Sequence, residues 1–486
     1  MGVWVRGVWR SGKTEFLKKI GRDYYKNTYC VDLCVAAQRE RLEQLYYQAS
    51  VNSAGVSMDY DKRFVKPMFE QYFKEMNDAD FIDSADSLLI IEEIQESDEL
   101  HDAIRKLVRG LDAKIAFTSN CHGKIKAREH QVFPHGDTQS LELGAVSYLE
   151  FLRQAKVYPE YSAIKKIVLD KSDSDCIRIF NEVKGLWNDY KAIGGYPEVV
   201  SEYLNGMSAK SCSERSYAII TESIAVMAEK AGLAGYTEEF RSALAAIFDC
   251  VISGLLNPGE EIPINEYMSK RCNRSPDGLR VNDCTYGEIF GWLIRSGVLT
   301  PHPVVLGSDG CRVIKYMFAD LGWLRYAVCS LLDKRPDLNC AELTLRNFVP
   351  QYLALTIKGL EKERLREPED YENFTGMRSY GWKDQESSEK VAYAIHTYTD
   401  KKIIVDFASP ASIAGSSENP VFIGKADYAI GKANYAIHLT DELGSWEAGS
   451  NAVSIPIYAI DKLPIVIQRM ALGEFEEKGP NEEGVS

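Results

Sequence analysis

Residues 7–14 constrain this chain more than any other stretch. Gly7-Val8-Trp9-Arg10-Ser11-Gly12-Lys13-Thr14 fits G-x-x-x-x-G-K-[ST], a turn between strand and helix that cradles phosphate oxygens. Gly7 and Gly12 let the backbone turn tightly and bring its N–H groups up to an anion. Lys13 reaches the β- and γ-phosphates as a point charge, and Thr14 offers its hydroxyl to Mg²⁺. Val3-Trp4-Val5 reads as a short buried strand, and Glu15 to Tyr24 as a helix whose N-terminus faces the anion. Gly7, Arg10, Ser11, Gly12, Lys13 and Thr14 are the candidate contacts to ATP, with Mg²⁺ held at Thr14.

A loop of this kind needs acids at the end of a nearby buried strand. Ser87-Leu88-Leu89-Ile90-Ile91-Glu92-Glu93-Ile94-Gln95 supplies them, and its apolar run suits a parallel strand covered on both faces. Glu92, the first acid, is the second candidate for holding Mg²⁺; Glu93 is the candidate base that activates the attacking water. Asp is usual at the first position. The extra methylene matters to a cation that wants near-octahedral ligands at about 2.0–2.1 Å, so the substitution favours binding over fast hydrolysis. Thr28 to Leu33 reads as another buried strand, with Asp32 at its nucleotide-facing end, and Ala36 to Asp78 as a helix-rich stretch. Lys114 to Asn120 is a further strand whose polar end can sense a γ-phosphate; Asn120 is the candidate, with Thr118 and Ser119 within reach. The competing role for such a residue is capping the next helix.

With 486 residues, the chain is long enough for about three domains. A net charge of −14 opposes bulk attraction to nucleic acid or an anionic membrane. No apolar run approaches the roughly 18 residues of a spanning helix, and the loop at residue 7 leaves no room for a signal-peptide core. Eleven cysteines, none in a C-x-x-C pair, read as reduced thiols. The expected compartment is the cytoplasm.

The phosphate loop, Glu92-Glu93-Ile94-Gln95 and Thr118-Ser119-Asn120 together resemble a prokaryotic AAA-type P-loop ATPase family. Leu143 to Leu152 is similar to its L-x-P-L-S-F-x-E-F-L stretch, and Gly194-Gly195-Tyr196-Pro197-Glu198 matches its G-G-[FY]-P-E motif. The resemblance implies a helical lid and a C-terminal domain of unknown function with a restriction-nuclease-like fold. It also implies an arginine finger before the first of those stretches, where this chain has Gly136 and Asp137. A finger is worth about 10³–10⁵ in rate, so its loss implies slow hydrolysis unless Lys124, Lys126 or Arg128 substitutes. Family members carry a longer N-terminal lead, so this chain reads as truncated or divergent.

Helical patterns continue over residues 159–205, where Pro197 is expected to stop a helix, and over Ser213 to Lys230 and Thr237 to Leu255. Glu198 is a candidate contact to the nucleotide site or a neighbouring protomer, or else part of a turn. Three further helices (Ile264 to Lys270, Asp277 to Asp283, Thr285 to Ser296) followed by a strand pair ending at Phe318 read as a winged helix. The stripe of Tyr286, Ile289, Phe290 and Leu293 reads as core. Lys270, Arg271, Arg274 and Arg280 form a local basic cluster that offers DNA contact as an alternative; the acidic whole disfavours it. Asp320-Leu321-Gly322 reads as a structural turn. Leu345 to Leu353 resembles a family helix, with Arg346 and Gln351 where acids are usual.

Val391 to Ile395 and Ile403 to Ala408 look like the central hairpin of the nuclease-like sheet. A working site of that type needs an Asp on the first strand and an acid-x-Lys on the second. Ala392 and Ala408 replace two of those groups and leave Asp406 alone, so no nuclease activity is expected. Val453 to Ile460 reads as a last strand, and the acidic tail after Gly473 as disordered.

The expected architecture is multidomain α/β: a P-loop AAA-type ATPase domain (1–155), a helical lid (156–205), a helical and winged-helix domain (206–335), a degenerate nuclease-like domain (336–470) and a disordered tail (471–486). The expected function is ATP binding with Mg²⁺ by a slow ATPase or nucleotide-dependent switch, working with a protein partner or a second copy and away from membranes. The alternatives are a nucleotide-gated DNA-binding protein and a non-hydrolysing ATP-binding scaffold.

Overall fold

The computed structural model describes residues 2–52, 61–119, 138–169, 172–230, 238–256, 280–281, 284–306, 311–331, 340–364, 378–383, 391–397, 401–407, 434–446, 451–473 and 475. They divide into two compact units.

The first unit comprises residues 1–145, 221–241 and 280–299. Its centre is a parallel sheet of β1 (Gly2–Arg6), β2 (Asn27–Asp32), β3 (Ser87–Glu92), β4 (Lys114–Ser119) and β5 (Thr138–Glu142), in the order β2-β3-β4-β1-β5. Every residue of β3 is buried, as a strand covered on both faces requires. Leu89 and Ile91 pack with Phe69, Phe73, Leu107 and Phe117 on one face. Leu88 and Ile90 pack with Val5, Leu17 and Ala116 on the other. The helix α1 (Lys13–Tyr24) covers this second face through Leu17, while α2 (Ala36–Asn52) and α3 (Asp61–Asn77) contribute to the first. β5 carries no apolar run and is largely exposed at the sheet edge, which is why the sequence pattern passes over it.

One expectation changes in residues 280–299. Arg280–Val281 pairs antiparallel with Cys284–Thr285, so the helix expected over Asp277 to Asp283 is strand at those two described positions. The helix Tyr286–Arg295 does form, opened by a capping box of Thr285 and Glu288. Of the stripe expected as core, Ile289, Phe290 and Leu293 are buried and Tyr286 is half-buried. Lys270, Arg271 and Arg274 lie outside the described residues.

The second unit comprises residues 146–220, 242–279 and 300–486. Its helical part begins with α4 (Tyr148–Gln154), whose capping box is Ser147 and Glu150. It continues with the helices Ser174–Ile193 and Pro197–Leu204. Pro197 therefore starts a helix instead of stopping one. At the first helical position its missing N–H has no partner to lose, and its fixed φ suits the turn. Leu299–Leu306 and Cys311–Phe318 form a two-stranded sheet. In the helix Cys340–Arg364, Arg346 donates to the carbonyls of Leu255 and Leu256, each at 3.2 Å. These are the last carbonyls of the helix Glu238–Leu256, so the cation caps a helix C-terminus that an acid could not.

The second sheet has six strands: β6 (Arg378–Lys383), β7 (Val391–His396), β8 (Lys402–Phe407), β9 (Tyr435–Thr440), β10 (Ser445–Trp446) and β11 (Ala452–Pro456), in the order β6-β7-β8-β9-β11-β10. The hairpin expected at its centre forms, with Ala392 directly opposite Asp406; Ala408 lies outside the described residues. The last strand ends at Pro456, and Ile457–Lys462 is a 3₁₀ helix, where extended chain was expected through Ile460. The Tyr148 hydroxyl takes the Tyr458 carbonyl at 2.8 Å, so that acceptor is satisfied without a ladder partner. No helix among the described residues is long and apolar enough to cross a membrane.

Candidate functional site

The phosphate loop leaves the carboxyl end of β1 and turns into α1. A bond from Ser11 N to Val8 O (3.1 Å) closes the turn, and Phe16 N to Gly12 O (2.9 Å) begins the helix. Gly12 has a left-handed φ of 84°, which glycine adopts without steric cost. A Cβ on Gly7 would stand 2.0 Å from the Leu143 carbonyl oxygen, so only a glycine fits there. Arg10 is left-handed as well, at φ 59°. Strain of this kind in a residue with a side chain marks functional loops. Its guanidinium lies 4.5 Å from the centre of the Trp9 ring and 3.1 Å from the Glu222 carboxylate.

Three side chains of the loop and helix are fixed at this turn. Lys13 is buried, and its Nζ donates to Gly7 O (3.1 Å) and Val8 O (2.8 Å). The Ser11 hydroxyl is also buried and has no partner among the described residues. Thr14 Oγ1 donates to Glu92 Oε2 at 2.8 Å. The structure thus brings together Gly7, Arg10, Ser11, Gly12, Lys13, Thr14 and Glu92.

The acids of β3 separate in role. Glu92 is buried at the strand end and also faces Lys18, whose Nζ is 3.4 Å from Oε1. Burial, and then the Glu92 charge, push the Cys30 thiol up from its ordinary value, with Lys18 opposing. Glu93 leaves the strand with a left-handed φ of 54°. Its backbone N–H donates to Thr118 Oγ1 at 3.0 Å, and its Oε2 accepts from Gln95 Nε2 at 2.6 Å. Ligand-type atoms of Cys34, Glu93 and Glu96 lie within 4.8 Å of one another. Asp32 is in register with Glu92, and its Oδ1 accepts from Cys34 N at 2.9 Å.

At the end of β4, Ser119 Oγ accepts from Trp4 Nε1 at 3.1 Å. Thr118 and Ser119 therefore tie neighbouring backbone and side chains. Asn120, Lys124, Lys126, Arg128, Gly136 and Asp137 lie outside the described residues. Two participants escaped the sequence reading: Lys18, although it follows Thr14 by one helical turn, and Glu222, which is remote in sequence.

These groups fit a nucleotide with Mg²⁺. Ser11 presents a buried oxygen with no partner among the described residues, and Thr14 with Glu92 pairs the hard oxygen donors that Mg²⁺ takes.

A family model described as an AAA domain matches residues 2–152. No curated protein matches the chain. Two solved structures of Thermotoga maritima RuvB, one titled as a Holliday junction branch migration motor and the other a single-substitution variant, cover 65% of this chain and 84% of their own. Their identities are 11% and 12%, and the TM-score is 0.23 for each. That superposition is too poor to carry a statement about this chain. The match to an AAA domain and the phosphate-loop geometry fall on the same stretch: residues 2–152 are similar to that family, and the loop of residues 7–14 lies within them.

Proposed function

We propose that the chain binds ATP with Mg²⁺ and acts as a slow ATPase or a nucleotide-dependent switch. The observation that carries this reading is the cluster of Lys13, Thr14 and Glu92 at the mouth of the loop. Backbone N–H groups of the loop and the Lys13 ammonium hold the phosphates. Thr14 and Glu92 hold Mg²⁺, which neutralises charge on the phosphate oxygens when bound. Glu93 takes a proton from the attacking water, whose oxygen bonds to the γ-phosphorus as ADP leaves. Asn120 is the proposed γ-phosphate sensor.

Slow turnover follows from Asp137 standing where an arginine finger belongs. The non-hydrolysing scaffold is the alternative that Glu92, standing where Asp is usual, and Asp137, standing where a finger belongs, favour. The C-terminal sheet is proposed as a nuclease-like fold without a working site, because Ala392 stands opposite Asp406. Cytoplasmic location and a protein partner or second copy complete the proposal. Equilibrium binding of labelled ATP by the full chain and by Lys13→Ala tests it: binding should vanish in the variant, and undiminished binding would refute the loop's role.

A further inference from the structure

Thr14 and Lys18 are four residues apart on α1, so their side chains share one face. Glu92 reaches both. Its Oε2 accepts from Thr14 Oγ1 at 2.8 Å, and its Oε1 lies 3.4 Å from Lys18 Nζ. The extra methylene of glutamate over aspartate gives the carboxylate the span to do so. Lys13 turns its ammonium to the carbonyls of Gly7 and Val8.

We propose that Lys18 is a resident counter-cation for Glu92, so that this site holds nucleotide with little dependence on Mg²⁺. The inference rests on the nucleotide-binding reading above and adds how that site is regulated. An ordinary surface ion pair contributes little, but this one differs in its anion. The Glu92 side chain is 11% exposed, against 37% for Lys18. A divalent ion arriving beside Thr14 must share Glu92 with an ammonium already there, and is repelled by it. By offsetting the Glu92 charge, Lys18 lessens the repulsion that carboxylate would exert on phosphate oxygens, whether or not a metal is bound.

The test is equilibrium binding of a fluorescent ATP analogue to the full chain, in EDTA and in saturating Mg²⁺, for wild type, Lys18→Met and Lys18→Arg. Wild type should bind within about tenfold of equally well in the two conditions. Lys18→Met should widen that ratio by about tenfold, the effect expected of one charge on a divalent ion about 6 Å away in a water-like medium. Lys18→Arg should restore the wild-type ratio. Mn²⁺ titrated into nucleotide-loaded protein and read by electron paramagnetic resonance should bind more tightly to Lys18→Met. An unchanged ratio in Lys18→Met, with nucleotide still bound, overturns the role of Lys18 alone. Wild type that binds no analogue in either condition overturns the nucleotide reading itself.

Discussion

Gly7→Ala is the sharpest test of the phosphate loop, because its cost can be worked out from distances. The added Cβ would lie 2.0 Å from Leu143 O and 3.0 Å from Ser11 Oγ, where ordinary contact begins at 3.4 Å. About 1.4 Å of separation (3.4 less 2.0) must be found against Leu143. Leu143 cannot easily yield, since its N–H donates to Arg6 O at 2.7 Å. The loop moves instead, and its N–H groups lose their aim at phosphate. A hydrogen bond to a charged group contributes about 1.5–3 kcal/mol, so losing two costs about 3–6 kcal/mol and weakens ATP binding by about 10²–10⁴. The matched control is Gly144→Ala, whose Cβ would meet nothing within 4 Å. Equilibrium binding of labelled ATP, beside thermal unfolding of both variants, reads the outcome. A folded Gly7→Ala protein that binds ATP within about threefold of the control would refute the reasoning; the predicted weakening is far larger.

Glu93→Gln should leave ATP binding intact and abolish phosphate release, since an amide cannot accept water's proton; turnover at the wild-type rate would move the base to Glu92. Asp320 is buried, and desolvation, opposed by backbone N–H groups of Gly195, Gly322, Leu321 and Trp323, pushes its carboxyl up to about 6 from 3.8. Its contribution to stability is therefore full below about 3.8 and lost as pH rises through about 6. Asp320→Asn should flatten that decline, which amounts to at most about 3 kcal/mol, in urea unfolding followed across pH 4–7; identical pH profiles would count against it. Tyr161→Phe removes a 2.5 Å hydrogen bond to Asp461 and should cost about 1.5–3 kcal/mol by chemical denaturation, with ATP binding untouched. Plasmid incubated with the full chain and Mg²⁺ or Mn²⁺ should stay intact; cleavage that Asp406→Ala abolishes would expose a working nuclease site.

Much of the first unit was legible because its signals are local. The loop pattern, the apolar run of β3 and the stripe of Ile289, Phe290 and Leu293 each declare an element without help from elsewhere. What was not legible depends on partners distant in sequence. β5 is polar and becomes a strand only by pairing with β1. Pro197 punctuates a helix in either direction, and only the packed turn shows that it begins one. Ile457 to Ile460 is as apolar as a strand, yet Tyr148 takes the carbonyl of Tyr458 and the chain coils. At the site, two acids after a buried strand were enough to find Glu92 and Glu93. The left-handed backbone at Glu93 had no glycine to announce it. Lys18 has no signal in the sequence beyond its helical spacing from Thr14, because its partner Glu92 is remote in the chain.

The strand order also dictates a timetable for synthesis. Of the strands in this sheet β1 is made first, yet its neighbours are β4 and β5, with Trp4 beside Phe117 and Gly2 beside Thr138. Neither neighbour is made until Lys114 or later. The sheet must close around its oldest strand at the end, a long-range step that is slow in folding and leaves apolar edges open meanwhile. The loop inherits that delay. Its shape is braced by Leu143, through the bond to Arg6 and the carbonyl beside Gly7. A nascent chain that has not yet released Leu143 carries every residue of the nucleotide motif and still lacks the cradle.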